Sequence, residues 1–264
     1  MKSFLVIFLN GTMRYPLIKP RFYGNLFQEI LQFIRTPTLE ITHDKTVRQK
    51  IYGTIGLFIL KFLFLIPVVL FFAFVYDPEN VQNVKMTDRF SPFVFLLVGA
   101  FILPFLEEVA FRLSLRFKPI YLTVSSVVLS YYILTKLVFQ SSMSLIDDSF
   151  VVRVLASLFV GLIVFFIVNE ATVKERLTRF WARNFRWIYY TICLLFAWVH
   201  ITKYELSWTH LLLLPILTLP QLFSALIYGY IRVSYGFQYP LFFHMTNNLL
   251  AIGLSFLPFT DILN

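Results

Sequence analysis

Of 264 residues, 58% are apolar and only 14% are charged, with 32 Phe and a mean hydropathy of +0.75; an ordinary soluble domain carries about 25% charged residues and is excluded. The net charge of +9 does not read as a nucleic-acid interface, because most of the 23 Lys and Arg flank apolar runs and form no basic block with interleaved aromatics. The composition predicts an all-α, polytopic transmembrane bundle without a nucleic-acid partner, and the single cysteine, Cys193, excludes an internal disulfide framework and reads as a small buried hydrophobe.

At the N-terminus, the apolar run 4–9 is too short for a signal-peptide core and lacks a small-residue cleavage site, so no cleavage is expected. Phe22, Leu26, Phe27, Ile30, Leu31 and Ile34 recur at helical spacing, with Gln28, Glu29 and Arg35 off the stripe. This predicts a helix lying in the membrane interface or a plain packing helix. Residues 1–50 thus form a cytoplasmic or interfacial segment, and 51–264 the membrane domain.

Seven spans are predicted, at 51–75, 91–112, 119–139, 151–170, 187–206, 209–231 and 237–257, or eight with a re-entrant or interfacial helix. Basic residues crowd alternate connections: Arg112, Arg116 and Lys118 after the second span, and Lys174, Arg176, Arg179, Arg183 and Arg186 after the fourth. The other connections balance their cations with Asp and Glu, so the positive-inside rule predicts a multi-pass cell-membrane protein with a cytoplasmic N-terminus and an outer C-terminus.

Glu107 and Glu108 follow directly on the apolar run of the second span. At a helix centre each acidic residue costs roughly 2.5–3.5 kcal/mol, whereas the twelve Leu, Ile, Phe and Val between Phe90 and Leu106 return about 4–7 kcal/mol together. The pair is therefore expected to face the protein interior or a wet cavity, with at least one carboxyl protonated, and to mark the centre of the chemistry. Pro104 cannot donate to the carbonyl of Ala100, which predicts a kink and a free acceptor one turn earlier. Pro215 and Pro220 are read as tolerated kinks in the sixth span.

Of four histidines, His43 lies in the basic N-terminal segment and His210 opens a span, and both are read as non-catalytic. His200 and His244 lie deeper, and His244 and Asn248 share one helix face at i and i+4. Glu107 lies nine residues before Arg116, His200 fourteen after Arg186 and His244 twelve after Arg232, which at 1.5 Å per residue gives depths of about 14, 21 and 18 Å. Three spans thus bring ionisable groups to one layer, and convergence on one site is expected.

Together, Glu107-Glu108-Val109-Ala110-Phe111-Arg112, the Phe196 to His200 pair and the His244 to Asn248 pair resemble, in order, the three motifs of the CPBP family of intramembrane proteases, the CAAX-prenyl-endopeptidase-like or abortive-infection group. The resemblance covers roughly residues 90–257. It implies an endopeptidase acting on a membrane-associated or lipidated peptide or protein, in contact with membrane lipid. Glu107 and His200 would activate water, and His244 and Asn248 would donate to the oxyanion. Glu108 would pair with Arg112, and Phe196 would support the site. Leu113 departs from the family's usual glycine, and His200 follows Glu107 by 93 positions, a separation explained by two inserted spans, 119–139 and 151–170.

Cofactor use stays open. Glu107, His200 and His244 could hold Zn²⁺ in an open site, yet there is no His-Glu-x-x-His and Asn is a poor zinc ligand; a metal-free mechanism is the other reading. The same buried groups also suit a non-catalytic bacteriocin-immunity or transport-type protein with a buried polar network. A transporter predicts repeat symmetry between its halves, and none is evident in the sequence.

Overall fold

The computed structural model describes residues 16–40, 44–76 and 78–256. The apolar run 4–9 and His43 lie outside the described residues. The described chain is helical: α1 Pro20–Arg35, α2 Val47–Phe74, α3 Val81–Arg89, α4 Pro92–Leu97, α5 Leu103–Phe111, α6 Pro119–Ile133, α7 Phe150–Asn169, α8 Ala171–Val199, α9 Trp208–Leu212, α10 Leu214–Leu217, α11 Leu219–Ser234 and α12 Gln238–Ser255.

Helix starts follow from local chemistry. Pro20, Pro92 and Pro119 open α1, α4 and α6, where a missing N–H costs nothing. Thr46 and Gln49 form a reciprocal capping box for α2. Glu170 accepts from the amides of Thr172 and Val173 at 3.0 and 2.7 Å and starts α8; these bonds and the exposed helix N-terminus lower its carboxyl pKa.

Among the described residues, five helical stretches are long and apolar enough to cross a membrane: Val47–Phe72, Pro92–Leu115, Pro119–Val138, Phe150–Asn169 and Ala171–Lys203. The expected fifth span, 187–206, is the second half of a longer helix beginning at Ala171. The expected sixth span, 209–231, is not one helix. It breaks at Leu213 and Thr218, because Pro215 and Pro220 lack the N–H that would continue the ladder and each instead starts a new helix. Large exposed apolar side chains crowd α7, among them Val151, Leu155, Phe159, Leu162 and Phe166, a surface suited to lipid. The interior holds buried Lys61, Glu108, Arg112, Arg153, Arg232 and His244.

α6 and α7 form a hairpin and pack closely, since a Cβ on Gly161 would lie 2.2 Å from Val127 Cγ2. Buried Arg153 ties the hairpin to its loop by donating to Thr135 Oγ1, the Leu145 carbonyl and Asp147 Oδ1 at 3.1, 2.8 and 3.0 Å. Ser125 Oγ donates to the Val109 carbonyl at 2.8 Å, fixing the hairpin to α5. The end of α5 is held from two further sides: Arg232 on α11 donates to the carbonyls of Arg112 and Leu113, and Trp181 on α8 to that of Ser114. These bonds satisfy acceptors that a helix end leaves open and set the rotation of the helix carrying Glu107 and Glu108. As expected, Cys193 is a buried free thiol.

Candidate functional site

The backbone before the glutamates departs from an α-helix. Residues Val98–Ile102 form a π turn, in which the Leu103 amide donates to the Val98 carbonyl, five residues back. In that register the Gly99 carbonyl would be served by residue 104, which is proline. The Gly99 carbonyl is therefore left open, and Asn248 Nδ2 satisfies it at 3.0 Å. Gly99 also lets α12 approach, as a Cβ there would lie 2.6 Å from Ile252 Cδ1.

Three helices bring the expected residues together. Glu107 Oε2 lies 3.6 Å from His244 Nε2 and 3.9 Å from His200 Nε2. His200 Nδ1 lies 2.7 Å from the Phe196 carbonyl; a carbonyl only accepts, so Nδ1 carries the proton and neutral His200 presents the Nε2 lone pair to Glu107. His244 Nδ1 lies 2.9 Å from Glu108 Oε1, which assigns the same tautomer by the same reasoning. Two imidazole nitrogens and a carboxylate oxygen converge at separations too long for direct hydrogen bonds and short enough for one bridging water.

Beneath this trio, Glu108 and Arg112 are both fully buried, with Arg112 Nη1 3.6 Å from Glu108 Oε1. The expected pair is present as an electrostatic contact: Glu108 Oε2 and both Arg112 Nη atoms make no hydrogen bond among the described residues. The guanidinium instead stacks on Phe196, its Cζ 3.5 Å from the ring centroid. Phe196 also packs on the His200 ring at 4.7 Å between centroids, giving that residue a physical role. Asn248 belongs to the same wall, but with Nδ2 bonded to Gly99 and Oδ1 accepting from Asn247 it has one N–H left for an oxyanion.

The site opens into a cavity of about 340 Å³. Sequence reasoning missed three residues on its walls. Lys61, 2% exposed in the middle of α2, donates to Asn247 Oδ1 at 2.6 Å; a lysine inside an apolar span is the same signal that singled out Glu107. Lys203 follows His200 in a short 3₁₀ turn. Tyr132, on α6, is close enough to Glu107 for its hydroxyl to interact with the carboxylate, yet that hydroxyl makes no well-formed hydrogen bond; no sequence pattern distinguishes it from a core aromatic. His210 lies apart, its Nδ1 on the Glu205 carbonyl.

The donor set was tested against zinc. Ligands about 2.0–2.1 Å from a tetrahedral Zn²⁺ lie about 3.3 Å from one another, and the two separations from Glu107 are wider. Among the described residues no three His, Cys, Asp or Glu side chains converge as a metal site requires. The arrangement does not match a tetrahedral zinc site, and no step is routed through a metal. No protein-family model, curated protein or solved structure matches this chain.

Proposed function

We propose that this chain is an intramembrane endopeptidase of the CPBP type, a seven-span cell-membrane protein with a cytoplasmic N-terminus, hydrolysing a bond of a membrane-associated or lipidated peptide. The observation that supports this most is the convergence of Glu107 Oε2 with the Nε2 atoms of His200 and His244 on one cavity inside an apolar bundle. α11 and α12, of 16 and 18 residues, run about 24 and 27 Å, somewhat short of the hydrocarbon core, and are the two further crossings of this reading.

Glu107 takes one proton of a water whose other hydrogen is accepted by an imidazole Nε2, and the water oxygen bonds to the substrate carbonyl carbon. The carbonyl oxygen becomes an oxyanion, stabilised by the free N–H of Asn248. The proton passes from Glu107 to the leaving amine as the C–N bond breaks. Glu108 fixes the His244 tautomer and Arg112 balances its charge, so both position rather than react.

The reading is tested by incubating detergent-solubilised protein with a peptide library and identifying new termini by mass spectrometry. Wild type yields defined products that Glu107→Gln abolishes and that a chelator leaves unchanged. A protein that binds peptides and cleaves none is a binding or immunity protein instead.

A further inference from the structure

The cavity holds more amines than hydrolysis requires. Lys61 spends two N–H groups on neutral acceptors, Asn247 Oδ1 at 2.6 Å and the Tyr228 hydroxyl at 3.5 Å, and no carboxylate pairs with it among the described residues. Lys203 lines the same space within electrostatic reach of Lys61, His200 and Glu107. Lys136 stands on another wall, facing Lys85 and Arg89. Three amines therefore share the cavity with one carboxylate, Glu107. Burial denies these amines the solvation a charge needs, and an anion placed among them supplies the counter-charge that the cavity walls do not.

A further wall group points to a peptide as the carrier of that anion. Gln221 Oε1 is a buried acceptor without a hydrogen bond among the described residues. An extended backbone offers it an N–H, which a fully deprotonated inorganic anion cannot. Position matters too: Asn247 lies three residues beyond His244 on α12, about 4.5 Å along the axis, so an anion on Lys61 sits within about two residues of the bond under attack.

The mouth has a side. Asn80, Gln82, Asn83, Met143 and Thr202 line the cavity, all from connections poor in net positive charge, and no residue of the basic connections 112–118 or 170–186 lines it. The positive-inside rule puts that mouth outside the cytoplasm.

We propose, resting on the endopeptidase reading, that Lys61 and Lys203 form an anion subsite selecting peptides with a carboxylate side chain or terminus beside the scissile bond, entering from the extracytoplasmic face. Paired fluorescent peptides differing only in Asp/Glu against Asn/Gln test it, with anisotropy and cleavage read on the same samples. Wild type binds the acidic member about tenfold tighter, the lower range for a charge-assisted hydrogen bond. Lys61→Met and Lys203→Met each erase the preference while melting as wild type does, and Lys61→Arg keeps it. Equal binding of both peptides by wild type, or an undiminished preference in Lys61→Met, overturns the subsite. Preference without cleavage sustains the subsite and removes the hydrolytic reading; cleavage without preference does the reverse. In proteoliposomes, cleavage only from the face bearing residues 174–186 overturns the route of entry.

Discussion

Asn248 donates its side-chain amide to the main-chain carbonyl of Gly99 at 3.0 Å, replacing the backbone donor that Pro104 cannot provide in the π register. One contact thus couples the helix carrying Asn248 to the kinked entry into the helix carrying Glu107. Asn248→Ala leaves a buried acceptor open and is expected to destabilise the protein by about 1–3 kcal/mol. In a Pro104→Ala background, where residue 104 regains its N–H, the loss should shrink by at least half. A double-mutant cycle of denaturant unfolding in detergent measures it, and additive losses would refute the coupling.

Arg112 and Glu108 form the buried pair under the histidines, with Phe196 stacked on the guanidinium. Arg112→Met strands the Glu108 carboxylate and is expected to cost about 3–5 kcal/mol, whereas Arg112→Met with Glu108→Gln recovers most of that loss. Thermal unfolding of the three proteins decides it, and a double variant no better than the single one would contradict a paired role.

Tyr132 places a hydroxyl beside Glu107 with no well-formed hydrogen bond to stabilise the fold. Tyr132→Phe should therefore melt at or above the wild-type temperature. If the hydroxyl meets the oxyanion, kcat falls about 10²-fold with KM nearly unchanged, the scale for one lost donor. A variant with wild-type kcat assigns the hydroxyl no part in the reaction.

Asp147 anchors the loop of the α6–α7 hairpin. Hydrogen bonds from Ser149 and Ser141, with Arg153 nearby, hold its carboxyl pKa down to about 2, against about 3.9 in an unfolded chain. A depressed folded pKa contributes stability that is complete above about pH 4 and lost as the pH falls through about 2. Hydrogen exchange across residues 141–149 should accelerate in that window for wild type, and Asp147→Asn should show the faster exchange without the pH dependence.

Much of the site was legible because intramembrane charge is expensive: Glu107, Glu108, His200 and His244 stand out against apolar runs, and depth counted from flanking cations placed three of them in one layer. Rotation about each helix axis was not legible, since it depends on Arg232, Trp181 and Ser125 bonding to carbonyls of α5 and its C-terminal extension, contacts between distant parts of the chain. The π turn escaped for a related reason: proline predicts an orphaned acceptor, but packing of Gly99 against α12 decides which carbonyl it is. The sixth span was overread because its apolar content masks Pro215 and Pro220, which restart the helix rather than merely bend it. Lys61 carried a readable signal that the glutamate pair overshadowed, whereas Tyr132 carried none.

The account rests on a water activated by Glu107, and isotope labelling tests that step directly. In H₂¹⁸O, wild-type protein should place one ¹⁸O in the new C-terminal carboxyl of each peptide it cleaves, and Glu107→Gln, folded to the same melting temperature, should yield no labelled product. Labelled product from Glu107→Gln at the wild-type rate, or no product from wild type with any peptide of the library, would contradict it.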